Sequence, residues 1–324
     1  MKYSIAAVMS VFLFLCMLLA PGVVFEGACS GLLLWFHTVL PTLFPFLAVS
    51  NLLLMTGSIR YISDAVGGIF ARLFGVSKNG SFCVLAGFLC GYPVGAKMAA
   101  DLVCEGYISK KEGEYLLSFC NNTSPSFIMN FLVLKTLGRK DLLMPTLAIL
   151  LLSPVLVSLF TRRIYRRGES ESTFFSPGQT GGGYAGNRKR PDPHPESGGH
   201  FLKLLDKSIM DSFETLVKIG GYIILFSVLL TLLQNLPIHT SAFTCLLSLL
   251  EITNGTVILG GLALSFRIQY PMLLFLNAFG GLCAAAQTQC MIQRAGLPFV
   301  PYLIEKLAAA LTASLLGTLY LLLF

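Results

Sequence analysis

An all-α polytopic membrane protein built from two interrupted halves is the fold class that the sequence predicts, and three observations predict it. Only 12% of the 324 residues are charged while 55% are hydrophobic, against roughly a quarter charged in ordinary soluble domains. Five stretches, 5–25, 27–59, 142–161, 219–250 and 307–324, carry no formal charge, each close to or longer than the ~20 residues that a helix needs to cross a bilayer core. Glycines, prolines and polar clusters then break this apolar background at matching places in the two halves.

In chain order, the stretch behind Lys2 is expected to be an uncleaved first span rather than a signal peptide, because the surroundings of Ala20 fit a small-x-small cleavage site poorly. Apolar runs near 81–100, 115–134, 256–266 and 270–287 are shorter or interrupted, and some are expected to enter the membrane without crossing it cleanly. Segment 162–202 is rich in Gly, Pro, Ser and Arg and has no periodicity that could build a core, so it reads as a disordered hydrophilic linker. Its Arg162, Arg163, Arg166, Arg167, Arg188, Lys189 and Arg190 place it in the cytoplasm by the positive-inside rule. The chain thus divides into membrane halves 1–161 and 203–324 joined by that linker.

Several function classes drop out. Much of the net charge of +7 sits in or beside the linker, so the expected partner is the lipid bilayer and not nucleic acid; self-association into a homo-oligomer is left open. Nine cysteines without CxxC spacing imply neither a disulfide framework nor a zinc site. The sequence contains no GxxxxGK[ST], HExxH or GxSxG, so ATP-driven pumping and the usual hydrolase chemistries find no support. A non-enzyme is expected, with an intramembrane hydrolase a poor second, and no cofactor is called for beyond a coupling proton or sodium ion.

Three interruptions appear in each half. The first half has Pro41 and Pro45 inside a span, the Gly-Tyr-Pro break at 91–93, and the polar run "SFCNNTSPSFI" at 118–128. The second has Gly220 and Gly221, "LLEITNG" at 249–255, and "LNAFGGLCAAAQ" at 276–287. Broken helices at corresponding positions of two halves are the best sequence pointer to a transporter's binding site. Gly91, Tyr92, Pro93 and Gly95 read as the tip of a re-entrant hairpin, with Pro93 opening the returning helix and its N-terminus turned toward an anion. Lys97 and Asp101, four residues apart, are either a self-neutralising salt bridge or a substrate-binding lysine held by a coupling carboxylate. Asn121, Asn122, Thr123 and Ser124 put too many hydrogen-bonding side chains in one apolar run for simple helix bridging and read as site-lining. Glu251, with Thr253 and Asn254, breaks an otherwise uncharged stretch; it is the candidate coupling carboxylate, the other reading being a loop glutamate. Asn277, Gln287 and Gln289 are weaker candidates that bridge helices in the plainer reading.

"GFLCGYPVGAK" (87–97), "FCNNTSPSFI" (119–128), "LLEITNG" (249–255) and "VLPTLFPF" (39–46) resemble the sporulation integral membrane protein family usually called YlbJ. The resemblance covers nearly the whole chain outside the linker. It implies a nucleoside-recognition Gate domain, an architecture similar to concentrative nucleoside transporters, and similarity to the stage V sporulation transporter that moves dipicolinic acid from the mother cell across the outer forespore membrane. A planar dicarboxylate suits a hairpin helix N-terminus, Lys97 and the Asn121 and Asn122 amides. A nucleoside-like transporter and a non-transporting sporulation scaffold are the alternatives.

Overall fold

The computed structural model describes residues 5–165, 198–238 and 240–323, and among them every regular element is helical. Helices α1 (Ile5–Leu19) and α2 (Pro21–Leu34) are followed by a π-helical turn, Trp35–Val39, and by α3 (Leu40–Met55). Then come α4 (Ile59–Phe74), α5 (Lys78–Cys90), α6 (Val94–Cys104), α7 (Lys110–Leu117), a π-helical segment at Phe127–Leu137 and α8 (Leu143–Tyr165). The second half holds α9 (Gly198–Gln234), α10 (Ser241–Ser248), α11 (Ile252–Gly261), α12 (Phe266–Phe279), α13 (Gly281–Ile292) and α14 (Phe299–Leu323).

Among the described residues, five helical stretches are long and apolar enough to cross a membrane: Pro21–Met55, Lys140–Tyr165, Phe201–Gln234, Phe266–Ala295 and Phe299–Leu323. The pair Gly67–Phe74 and Lys78–Cys90, bent by 87°, adds a sixth if it is one broken span. This is a multi-pass membrane protein. Its large exposed side chains on α2, α8, α9 and α14 are mostly leucine, isoleucine, valine and phenylalanine, as a lipid-facing surface requires.

The spans differ from the charge-free stretches in instructive ways. The expected first span, 5–25, is cut at Pro21, which has no N–H to donate and therefore opens a new helix. That leaves α1 with 15 residues, ~22 Å at 1.5 Å per residue. The stretch 219–250 resolves into the end of α9 and a separate short α10. The last span begins at Phe299, not 307, and so takes Glu305 and Lys306 inside it. Helices also reach into the expected linker, α8 to Tyr165 and α9 from Gly198; the remainder of that linker, with Arg166, Arg167, Arg188, Lys189 and Arg190, lies outside the described residues.

Gly220 and Gly221 do not interrupt α9. Gly220 instead admits the Trp35 indole, whose ring atoms would stand 2.8 Å from an added Cβ and whose Nε1 donates to the Leu216 carbonyl at 2.9 Å. Gly27 and Gly31 act similarly from α2: a Cβ at either would meet the α9 backbone, Val228 Cα or Ile224 Cα, at 2.8 Å. Small residues four apart let two membrane helices pack backbone to backbone.

Two hairpins and two breaks position the site. α5 packs against α6 across residues 91–93, and α10 against α11 across residues 249–251. Residues 118–124 are non-helical between α7 and Phe127–Leu137, while only the left-handed Gly280 (φ 90°) separates α12 from α13. One buried apolar cluster gathers around α5, α6 and α7 and includes Cys120, and a second around α8, α12 and α14 includes Ile128. The polar 121–124 run passes from one to the other.

Gly31→Val should lower stability by about 1–3 kcal/mol through overpacking, read as a lower thermal unfolding midpoint in detergent. Gly22→Ala on the same helix, where nothing lies within 4 Å, should leave that midpoint unchanged.

Candidate functional site

Both hairpin tips are docked on helix breaks. At the first tip Gly91 is left-handed (φ 87°) and Tyr92–Pro93 is a cis peptide; a Cβ at Gly91 would stand 2.9 Å from Ser124 N. Gly95, on the returning α6, lies against the Cys120 carbonyl, with Asn121 Cα 3.1 Å from a Cβ position. The Tyr92 hydroxyl donates to the Ala278 carbonyl at 2.7 Å, and its ring covers Gly280. At the second tip the Leu249 and Leu250 carbonyls accept from Leu282 N and Cys283 N, both at 2.8 Å. Thr123 joins the two breaks, its hydroxyl donating to the Asn277 carbonyl at 2.5 Å. Gly91, Tyr92, Pro93, Gly95 and the 121–124 run thus meet at one junction.

Asn121 is fully buried and uses its whole carboxamide. Its Oδ1 accepts from Ala96 N at 3.3 Å, and its Nδ2 donates to Thr288 Oγ1 at 2.9 Å and Tyr302 Oη at 3.0 Å. The α6 N-terminus expected to face an anion is therefore capped by Asn121. Ser124 caps the next helix, accepting from Phe127 N at 3.3 Å. Glu251 is the N-cap of α11: Oε1 accepts from Thr253 N at 3.0 Å and Oε2 from Asn254 N at 2.8 Å. A carboxylate suits that place because it meets the positive end of the helix. Asn254 also reaches Ser227 Oγ at 3.4 Å, and Thr253 is buried behind the same tip.

Lys97 and Asp101 are buried and paired at 2.6 Å, which favours the salt-bridge reading of their spacing. Lys97 Nζ also donates to Asn51 Oδ1 at 2.8 Å, and Asn51 in turn to Ser212 Oγ at 2.9 Å. The second oxygen of Asp101 takes Arg294, from the turn between α13 and α14. One carboxylate thus serves two cations and ties α6 to the second half.

The residue that sequence reasoning missed is Lys306. It is 2% exposed, and its Nζ donates to the Asn121 carbonyl at 2.8 Å and Asn122 Oδ1 at 3.2 Å and lies 4.9 Å from the centre of the Tyr92 ring. Asn122 in turn donates to the Phe119 carbonyl at 2.6 Å. The available signal was the proline pair Pro298 and Pro301, which marks a helix start two turns before Lys306. Close by lies a cavity of about 10 Å³ whose lining includes Asn122, Thr123, Ser153, Asn277 and Ala309, the size of one water site. Asn277 Nδ2 donates to the Leu273 carbonyl at 2.8 Å and to Thr256 Oγ1 at 3.3 Å, while its Oδ1 has no hydrogen-bond partner among the described residues. Gln287 only bridges to Cys283 Sγ.

Asp101→Ala should leave the buried Lys97 ammonium without its counter-charge, facing the half-exposed Arg294, and cost roughly 3–5 kcal/mol. Lys97→Met, which leaves Asp101 paired with Arg294, should cost distinctly less; thermal unfolding of both purified variants checks the order.

No protein-family model and no solved structure matches the chain. The sporulation integral membrane protein YlbJ of Bacillus subtilis (strain 168) is 28% identical over 347 aligned positions, which cover 97% of this chain and 82% of that protein. The likeness runs over nearly the whole chain, and it agrees with the resemblance of the motifs at 87–97 and 119–128 to the YlbJ family of sporulation integral membrane proteins.

Proposed function

We propose that the chain is a secondary transporter of a small anionic metabolite, dipicolinic acid above all, moved from the mother cell across the outer forespore membrane during sporulation. The observation that carries this reading is the meeting of two hairpin tips and two helix breaks at one buried polar junction. Interrupted backbone is tolerated at membrane depth only where protein or enclosed water satisfies it, and paired interruptions mark the binding sites of secondary transporters.

Each half presents the same series: the hairpin α5–α6 or α10–α11, then the interrupted pair α7 with Phe127–Leu137 or α12 with α13, then the uninterrupted α8 or α14. On this reading the halves are two pseudo-repeats of Gate type, similar in plan to concentrative nucleoside transporters. The sporulation name of the Bacillus subtilis relative supports the cellular setting. Gly91, Tyr92, Pro93 and Gly95 form one wall of the site, Asn121, Asn122, Thr123 and Ser124 the facing wall, and Thr253 and Asn254 the second tip, with Lys97 behind the first wall. Glu251 and Asp101 are the coupling carboxylates, for a proton or a sodium ion. The absence of a nucleotide-binding motif from the sequence fits transport driven by a gradient.

Purified protein in liposomes should take up labelled dipicolinate saturably, and uptake should be competed by pyridine dicarboxylates and not by uridine or adenosine. Glu251→Gln should remove its dependence on an imposed proton or sodium gradient. Competition by nucleosides instead would move the substrate to that class. No uptake of either class, with insertion confirmed, would overturn transport in favour of a sporulation scaffold.

A further inference from the structure

Among the described residues, Lys306 is a buried lysine without a counter-charge. Among the described residues no carboxylate pairs with it: its partners at the junction are a carbonyl, a carboxamide oxygen and an aromatic ring. Its neighbour Glu305 turns elsewhere and accepts from the Tyr165 hydroxyl at 2.8 Å. Glu251 spends both oxygens on its own helix, and Asp101 is committed to Lys97 and Arg294. Burying an ammonium among neutral groups is costly, and a residue kept there at that expense is a functional candidate.

The other positive features of the junction are already satisfied. Asn121 caps α6, Glu251 caps α11, Ser124 caps the segment at Phe127, and the Leu249 and Leu250 carbonyls accept from the start of α13. Lys306 therefore holds the one charge at the junction still available to an anion among the described residues. Its Nζ lies over the Tyr92 ring, and its partner Asn122 shares the small cavity with Asn277, whose Oδ1 accepts from no donor among the described residues.

We infer that Lys306 is the anion-recognising residue of the site: one carboxylate of a small planar aromatic acid replaces Asn122 Oδ1 on Nζ, the ligand ring lies along Tyr92, and a second group donates a hydrogen bond to Asn277 Oδ1. This rests on the transporter reading and sharpens its substrate class to a singly charged aromatic acid with a neighbouring donor. Dipicolinic acid meets that description with one carboxyl ionised and the other protonated. The cavity as it stands holds about one water, so entry requires the Tyr92 to Ala278 and Thr123 to Asn277 contacts to part.

Two variants test this by calorimetric binding of dipicolinate to purified protein, alongside liposome uptake. Lys306→Met should weaken binding roughly 100-fold, the loss expected when one member of a buried charge pair is truncated. It should leave the weak binding of the uncharged pyridine-2,6-dicarboxamide as it is in the native chain. Asn122→Asp keeps the fold testable should the first variant fail to insert, because a carboxylate placed where Asn122 Oδ1 now lies 3.2 Å from Nζ pairs with Lys306. That variant should unfold at a higher temperature and lose dipicolinate binding by a similar factor. Native-like dipicolinate binding in either variant, with uptake intact, would overturn the role of Lys306 and leave the transporter reading standing. Failure of the native chain itself to bind or take up any of these acids would overturn both.

Discussion

Everything at the centre of this chain follows from the rule that a backbone group freed by a helix break inside a membrane must find its partner within the protein. The Gly-Tyr-Pro turn, the 121–124 run, the Leu249–Glu251 tip and the Gly280 break each expose such groups, and each is answered by another of the four or by its own helix cap. Leu282 N and Cys283 N take the carbonyls of the second tip; Ala96 N takes Asn121; Tyr92 and Thr123 take the carbonyls of Ala278 and Asn277. The breaks are thus stable only together, which is why they occur at one place. It also means that hydrogen bonds in this set cannot open singly without exposing others.

Charge is distributed on the same principle. Lys97 and Arg294 share the Asp101 carboxylate in a cluster joining α6 to the turn before α14, and Asn51 and Ser212 extend it to α3 and α9. Such a cluster holds helices in register, its two cations tied to one carboxylate. Among the described residues, Lys306 is held by neutral groups. The two buried lysines are therefore suited to different work: Lys97 fixes the scaffold, while Lys306 donates to the Asn121 carbonyl and to Asn122, a residue that lines the polar cavity.

Much of this was legible in the sequence. A glycine-proline tip and four consecutive polar side chains stand out in an apolar run because each is expensive there, so 91–95 and 121–124 could be singled out before any coordinates, and the structure brings them into contact. The i, i+4 spacing of Lys97 and Asp101 allowed a salt bridge as one of two readings, and the structure pairs them. Gly220 and Gly221 misled because glycine serves two ends in membrane helices, breaking them or letting a partner approach, and only the presence of Trp35 tells which. Lys306 escaped because a span counted by absence of charge begins after the charge; Phe299 as the true start puts the lysine inside. The partnership of Asp101 with Arg294 is a tertiary contact with no local trace.

The measurement that bears most directly on the account is a structure by electron cryomicroscopy of the protein in lipid nanodiscs with dipicolinate present. The account predicts ligand density between the Tyr92 ring and the break at 121–124, with a carboxylate oxygen within hydrogen-bond distance of Lys306 Nζ and the Asn122 side chain turned away. Ligand density elsewhere, with Lys306 still donating to the Asn121 carbonyl and Asn122 Oδ1, would contradict it.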